Sequence, residues 1–247
     1  MAATHSNQFR HELEEFRKEA EQAIQYFYAY ITVHAVARER TKVWEFLNKA
    51  PLYWNTSLAA MQTATFITLG RIFDQGSPHN VDRLLGLANR HQTIFSKVEL
   101  GLRKQGASTV PPPWLAEYLA EAYVPDATDF RRLRAHVKKW RRVYEANYRD
   151  LRHKVFAHRE LTDGAAISAL FGKTNIRELQ RMLVFLSALY EALWQLLENG
   201  HKPLLRPRRY SAKRMRDKPS PGLRQAALQE RITRETEQLL ISSADLK

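Results

Sequence analysis

Cysteine is absent from the 247-residue chain, which excludes disulfides, thiolate metal sites and a cysteine nucleophile. Long apolar runs are absent too. The most apolar segment, Met182 to Leu197, is interrupted by Ser187, Glu191 and Gln195 and flanked by Arg177, Glu178, Arg181 and Glu198. It is too short and too polar at its edges to span a bilayer and reads as a buried central helix, so no membrane role is expected. The N-terminal stretch MAATHSNQFRHELEEF carries no apolar segment of signal-peptide type, which makes a cytoplasmic location the expectation. No period-2 alternation of useful length and no internal repeat occurs, which argues against a β-sheet. There is no HExxH, no acidic cluster beside the histidines, no Gly-rich phosphate loop and no Gly-x-Ser-x-Gly elbow. Neither a metal nor a cofactor is expected.

What the chain has is apolar spacing and positive charge. Hydrophobic residues make up 44%, enough for a packed core, and the formal charge is +13. A surplus of this size favours polyanionic partners. One concentration of charge holds Arg131, Arg132, Arg134, Lys138, Lys139, Arg141 and Arg142 with no acid among them. A second, residues 201–218, carries eight Lys or Arg against one Asp. Either is ordinarily a solvated face or a solubilising tail; either can also follow a phosphate backbone.

Helical periodicity organises the rest. Phe9, Leu13, Phe16, Ala20, Ile24, Phe27 and Ile31 step by fours and threes along a first long helix. Val43 to Leu47 continues it or follows a bend, and Pro51 marks a boundary or a helical first turn. Leu58, Met61, Thr65, Leu69 and Ile72 define another seam, and Ser77 before Pro78 reads as a helix start. Asn80 to Arg103 reads as one or two shorter helices, Gly106 to Pro113 as a loop, and Trp114 to Tyr123 as a short helix. Asp126 or Thr128 caps a long helix predicted to reach about His158, on a seam through Leu133, Val137, Trp140, Tyr144, Asn147, Leu151 and Val155. Gly164 and Gly172 punctuate a connection, and Asn175 with Glu178 resembles a capping box for the central helix, which Gly200 ends. The aromatics Tyr26, Phe27, Tyr28, Tyr30, Trp140 and Tyr144 read as core rather than as base-stacking platforms. The expected fold is all-α, an antiparallel up-and-down helical bundle over 1–200. A basic, Pro-rich linker over 201–222, a poor helix, and a C-terminal helix over 223–247 follow it.

One stretch carries chemistry. RHKVFAHRE, Arg152 to Glu160, brings Arg152, His153 and His158 together at the end of the long helix. Arginine holds a phosphate and its developing charge through a planar fork of donors. Histidine titrates near neutrality and serves as general acid or base. RNA brings its own nucleophile, the 2′-OH, so these residue types suffice for cleavage without metal. On a straight helix six residues turn by about 600°, which leaves Arg152 and His158 about 120° apart. A shared site therefore needs a distorted helix end or a cleft between helices. Without further context, His158 reads as a histidine closing a core seam, and Arg152 as half of an ion pair with Asp150, Glu160 or a neighbouring helix.

LRHKVFAHRE in an all-helical chain resembles the signature of HEPN-domain proteins: Arg, four to six residues, then His. It is similar to the form typical of the abortive-infection, AbiU-like branch, which TFITLGRIFD (Thr65–Asp74) also resembles. The resemblance covers about residues 10–200 and leaves the basic tail outside. It implies a homodimer whose two motifs face one cleft, and metal-independent endoribonuclease activity in phage defence or toxin–antitoxin systems. On that pattern Arg152 and His158 are the catalytic pair. His153 takes a polar slot more often filled by Asn, where it can donate a hydrogen bond. Family toxins silenced by nucleotidyltransferase antitoxins carry Tyr two residues after the His; Glu160 stands there, so that mode of silencing is not expected.

The expected partners are RNA, a second copy of the chain and an antitoxin protein. Arg131, Arg134, Lys138, Arg141, Arg206, Arg208, Arg209, Lys213 and Arg214 are the candidate RNA contacts. Arg71 and Asp74 either pair locally, three apart on a helix, or reach the motif cleft in support. The competing reading is a non-catalytic helical module that binds nucleic acid or protein through the same basic surface.

Overall fold

A computed structural model describes residues 2–157, 163–206, 208–222 and 226–246. The fold is all-α, a helical bundle, as the periodicity predicts. In chain order the helices are α1 (Ala2–Glu39), α2 (Thr41–Asn48), α3 (Pro51–Phe73), α4 (Val81–Arg90), α5 (Lys97–Gln105), α6 (Leu115–Glu121), α7 (Ala127–Asn147), α8 (Gly164–Gly172), α9 (Ile176–Asn199), α10 (Ala212–Asp217) and α11 (Leu228–Asp245). A 3₁₀ turn spans Gln92–Phe95, and a π-helical segment spans Leu151–Ala157.

Two compact units divide the contacts. The first comprises residues 1–18, 71–144 and 185–207. Its core holds Phe9 edge-on to Phe95, Phe95 against Phe130, and Phe73 stacked on Tyr144. Asp126 caps α7, its Oδ1 accepting from the N–H groups of Thr128 and Asp129. Gly200, at φ 61°, follows α9, and a Cβ there would stand 2.7 Å from Leu100 and 2.9 Å from Ala122. The start of α4 corrects the Ser77–Pro78 expectation. Asn80 is the cap: its Oδ1 accepts from the Asp82 and Arg83 amides, and its Nδ2 donates to the carbonyls of Gln75 and Ser77. A serine at 77 cannot serve a helix whose first turn begins at Val81. Asn80 is buried, so Asn80→Ala is expected to lower the unfolding free energy by about 2 kcal/mol. Chemical denaturation measures this; an unchanged midpoint would remove Asn80 as the organiser of that turn.

The second unit comprises residues 19–70, 145–184 and 208–247. Arg40 adopts an extended conformation and bends the chain between α1 and α2. Val33, Val36, Val43 and Leu240 are buried together, which docks α11 against α1 and α2. Three expectations are corrected here. Gly164 and Gly172 bracket a helix rather than a bare connection, because Asp163 accepts from the Ala165 and Ala166 amides and the residues between suit a helix. The basic stretch holds a helix too: Ser211 caps α10, and Met215 is fully buried. Pro203, Pro207, Pro219 and Pro221 flank this helix in the sequence rather than entering it.

The third correction concerns the motif helix. Regular α geometry ends at Asn147. The buried residues beyond it are Tyr148 and Leu151, while Asn147 and Val155 are half-buried. Phe66 stacks on Phe156 at 5.2 Å and on Tyr148 at 6.1 Å. A π turn aligns residues five apart, which carries the seam from Leu151 to Phe156 instead of Val155. The extrapolation from Val155 to His158 therefore loses its premise, and His158 lies outside the described residues, as do Arg159 and Glu160.

Candidate active site

The motif segment is anchored from below. Tyr148 is fully buried, and its hydroxyl donates to Glu178 Oε1 at 2.8 Å; the Asn147 amide donates to the same oxygen at 2.9 Å. Burial, reinforced by the Glu178 hydrogen bond, raises the Tyr148 pKa above the usual phenol range. Asn175 caps α9 as expected, accepting from the Arg177 and Glu178 amides. Glu178, however, turns to Tyr148 and Asn147, so it ties α9 to the base of the motif segment. Phe156 also meets Phe171 edge-on, which packs α8 against the π turn.

Arg152 then lies across α3. A Cβ on Gly70 would stand 2.6 Å from Arg152 Nε and 3.1 Å from Cδ and Cζ. Only a glycine leaves room for the guanidinium at this height on the helix. Arg152 Nη1 lies 3.0 Å from His153 Nε2. Nη1 also lies 3.4 Å from His153 Nδ1, so the guanidinium, which has donors only, turns its N–H groups toward the imidazole. The sequence reading places His153 in a polar slot able to donate a hydrogen bond; its contact with the Arg152 guanidinium comes from the structure. The chain brings together a guanidinium and an imidazole in the π-helical segment, residue types able to hold a phosphodiester and stabilise added negative charge.

Gly70 is the residue sequence reasoning missed. It lies within TFITLGRIFD, where a glycine in a helical seam carries no local sign that a distant side chain will cross it. Arg71 is exposed in the last turn of α3 and Asp74 follows its end; both belong to the first unit, whereas Arg152 and His153 belong to the second.

The candidate RNA contacts separate into groups. Arg131, Arg134 and Lys138 are exposed on α7. Arg141 is buried against Asp82 as an ion pair, which removes it from the solvent-facing row. Arg206 and Arg208 are exposed, and Arg209 donates to the Lys218 carbonyl at 2.6 Å, holding the tail to itself. Lys213 and Arg214 are exposed and line a cavity. Among the described residues no group of three or more His, Asp or Glu is arranged to hold a metal, and no helix is long and apolar enough to cross a membrane.

A family model for AbiU2, of the HEPN class, matches residues 6–215. The chain belongs to the HEPN AbiU2 family. No curated protein and no solved structure matches it. The AbiU2 match extends past Gly200 into α10, so it takes in the first part of the basic stretch. It also contains Gly70, Arg152, His153 and His158 within one family region.

Proposed function

We propose that this AbiU2-family chain is a metal-independent endoribonuclease of abortive infection or a toxin–antitoxin system. The observation that carries the reading is the Arg152 guanidinium laid over Gly70 and contacted by His153, within the HEPN motif of a family member. In this reading Arg152 binds the scissile phosphate and its growing charge. His158 takes the proton from the ribose 2′-OH, the 2′-oxygen attacks phosphorus, and the bond to the 5′-oxygen breaks. The leaving oxygen receives a proton from a second histidine, and the product is a cyclic phosphate with a free 5′-OH end. A homodimer supplies that second histidine, since one residue otherwise has to give and take a proton in one turnover. The chain acts in the cytoplasm on RNA, and an antitoxin protein restrains it.

The test is incubation of the purified protein with total RNA in EDTA, beside Arg152→Ala and His158→Ala. Each substitution is expected to lower cleavage by about 100-fold or more, and the wild type should leave cyclic phosphate ends. Cleavage persisting in both variants would overturn the assignment. RNA binding with no cleavage by the wild type would instead favour the non-catalytic helical module.

A further inference from the structure

Four helices, α1, α2, α9 and α10, line a cavity of about 1000 Å³ in the second unit, and three of them bring cations. The C-terminal end of α1 contributes Arg38. The first turns of α9 contribute Arg177 and Arg181. Lys213 and Arg214 come from α10. All five are exposed. Glu39 is the one carboxylate of the described lining, and both its oxygens are taken by Arg216, at 3.2 and 2.7 Å. The five cations thus outnumber the one lining acid, which is engaged by Arg216 and shares its remaining field with Lys213.

Tyr210 reports the resulting field. Its hydroxyl accepts from Arg181 Nη2 at 3.2 Å, and the guanidinium carbon lies 5.2 Å from the ring centroid. That hydrogen bond, with the charges of Arg181, Arg214 and Arg177, draws the phenol pKa below its usual value. The position of Tyr210 is set elsewhere, because its carbonyl accepts from the buried Tyr28 hydroxyl at 2.5 Å. Trp44, a tryptophan 58% exposed on α2, lines the same cavity.

We propose that this cavity grips a single-stranded segment of RNA, phosphates on the arginines and a base on Trp44, as a holding site separate from Arg152. The proposal rests on the reading of the chain as RNA-directed. A surplus of cations alone would suit any polyanion. An exposed indole beside them adds a flat π surface, and cations interleaved with stacking aromatics are the chemistry of single-strand binding. The volume lies at the upper end of the range of ordinary ligand pockets. Lys213 and Arg214 belong to the basic stretch over 201–218, and the fold adds Arg38, Arg177 and Arg181 to them from α1 and α9.

Binding is read by anisotropy of a fluorescein-labelled ten-nucleotide single-stranded RNA on the full chain, carrying His158→Ala to block turnover, in EDTA. Adding Arg177→Ala and Arg181→Ala is expected to weaken binding about ten-fold or more and to flatten the salt dependence by about one phosphate contact or more. Trp44→Ala should weaken it about five-fold or more, with Trp44→Phe recovering part of the loss. Lysine at 177 and 181 should restore most of the affinity, which a folding defect would not allow. The proposal falls if the parent does not bind, if the double variant binds within two-fold of it, or if Arg131→Ala with Lys138→Ala costs as much. It also falls if poly-glutamate competes as well as RNA. Cleavage by the wild type with these outcomes leaves the endoribonuclease reading standing; cavity-dependent binding without cleavage removes that reading and keeps the site.

Discussion

Gly70→Ala should lower RNA cleavage by about 100-fold while the protein stays folded. Alanine is the better helix former by about 1 kcal/mol, so the substitution favours α3 locally. The methyl group would nevertheless stand 2.6 Å from Arg152 Nε, closer than such atoms approach. The obstructed group is the outer part of a flexible side chain, so the arginine moves and the backbone does not. Displacement of a charge-stabilising group by an ångström or so is enough for a loss of this size. The variant separates positioning from packing. Thermal unfolding should be unchanged or slightly raised, and the loss should appear in kcat more than in KM. If cleavage is retained at the wild-type rate, the Arg152 pose over α3 is not the working one. Gly70→Ala combined with Arg152→Ala should be no worse than Arg152→Ala alone, because both act through one guanidinium.

Arg216→Ala is expected to loosen the C-terminal helix by about 2 kcal/mol, or about thirty-fold in amide exchange protection of α11. Arg216 is 10% exposed and joins three helices: it forks onto Glu39 of α1 and donates to Glu237 of α11 at 2.8 Å. The value is set below that of a fully buried pair because Glu39 is half exposed. Lysine at 216 keeps the charge but not the fork, and should fall between the two. The hydrogen bond from Arg216 lowers the Glu39 pKa from its ordinary value. A carboxylate depressed in the folded state contributes stability above its unfolded pKa and loses it as pH falls through the folded value. Protection of α11 should therefore decline below the ordinary carboxylate range, and Arg216→Ala should flatten that decline. Equal protection in wild type and variant at neutral pH would show that the apolar contacts of Leu240 hold the helix unaided.

Most helices were legible because burial leaves a period. Phe9 to Ile31 and Leu133 to Tyr144 mark their faces without reference to any other part of the chain. The cap at Asp126 was legible for the same reason, since an Asx cap is a local device. What escaped depended on residues far apart in sequence. The shift from Val155 to Phe156 follows from Phe66, which lies some ninety residues earlier. Arg141 stands in a run of cations and nothing in the run tells that Asp82 will bury it. Gly70 looks like an ordinary helical glycine until Arg152 is laid across it. The residue types of the candidate site were readable from the motif; the pocket that holds Arg152, and the cavity assembled from Arg38, Arg177 and Arg214, were not.

The π turn at Leu151–Ala157 also bears on how such a motif changes over time. A π turn holds one more residue than the α turn it replaces, so it is the mark an inserted residue leaves when the helix on both sides stays anchored. Tyr148 is fixed below by Glu178, and Phe156 is fixed above by Phe66 and Phe171. Between two such clamps the chain can gain or lose a residue by exchanging one kind of turn for the other. The number of residues after the arginine is then a dimension that lineages can adjust in single steps, without rebuilding the bundle around it.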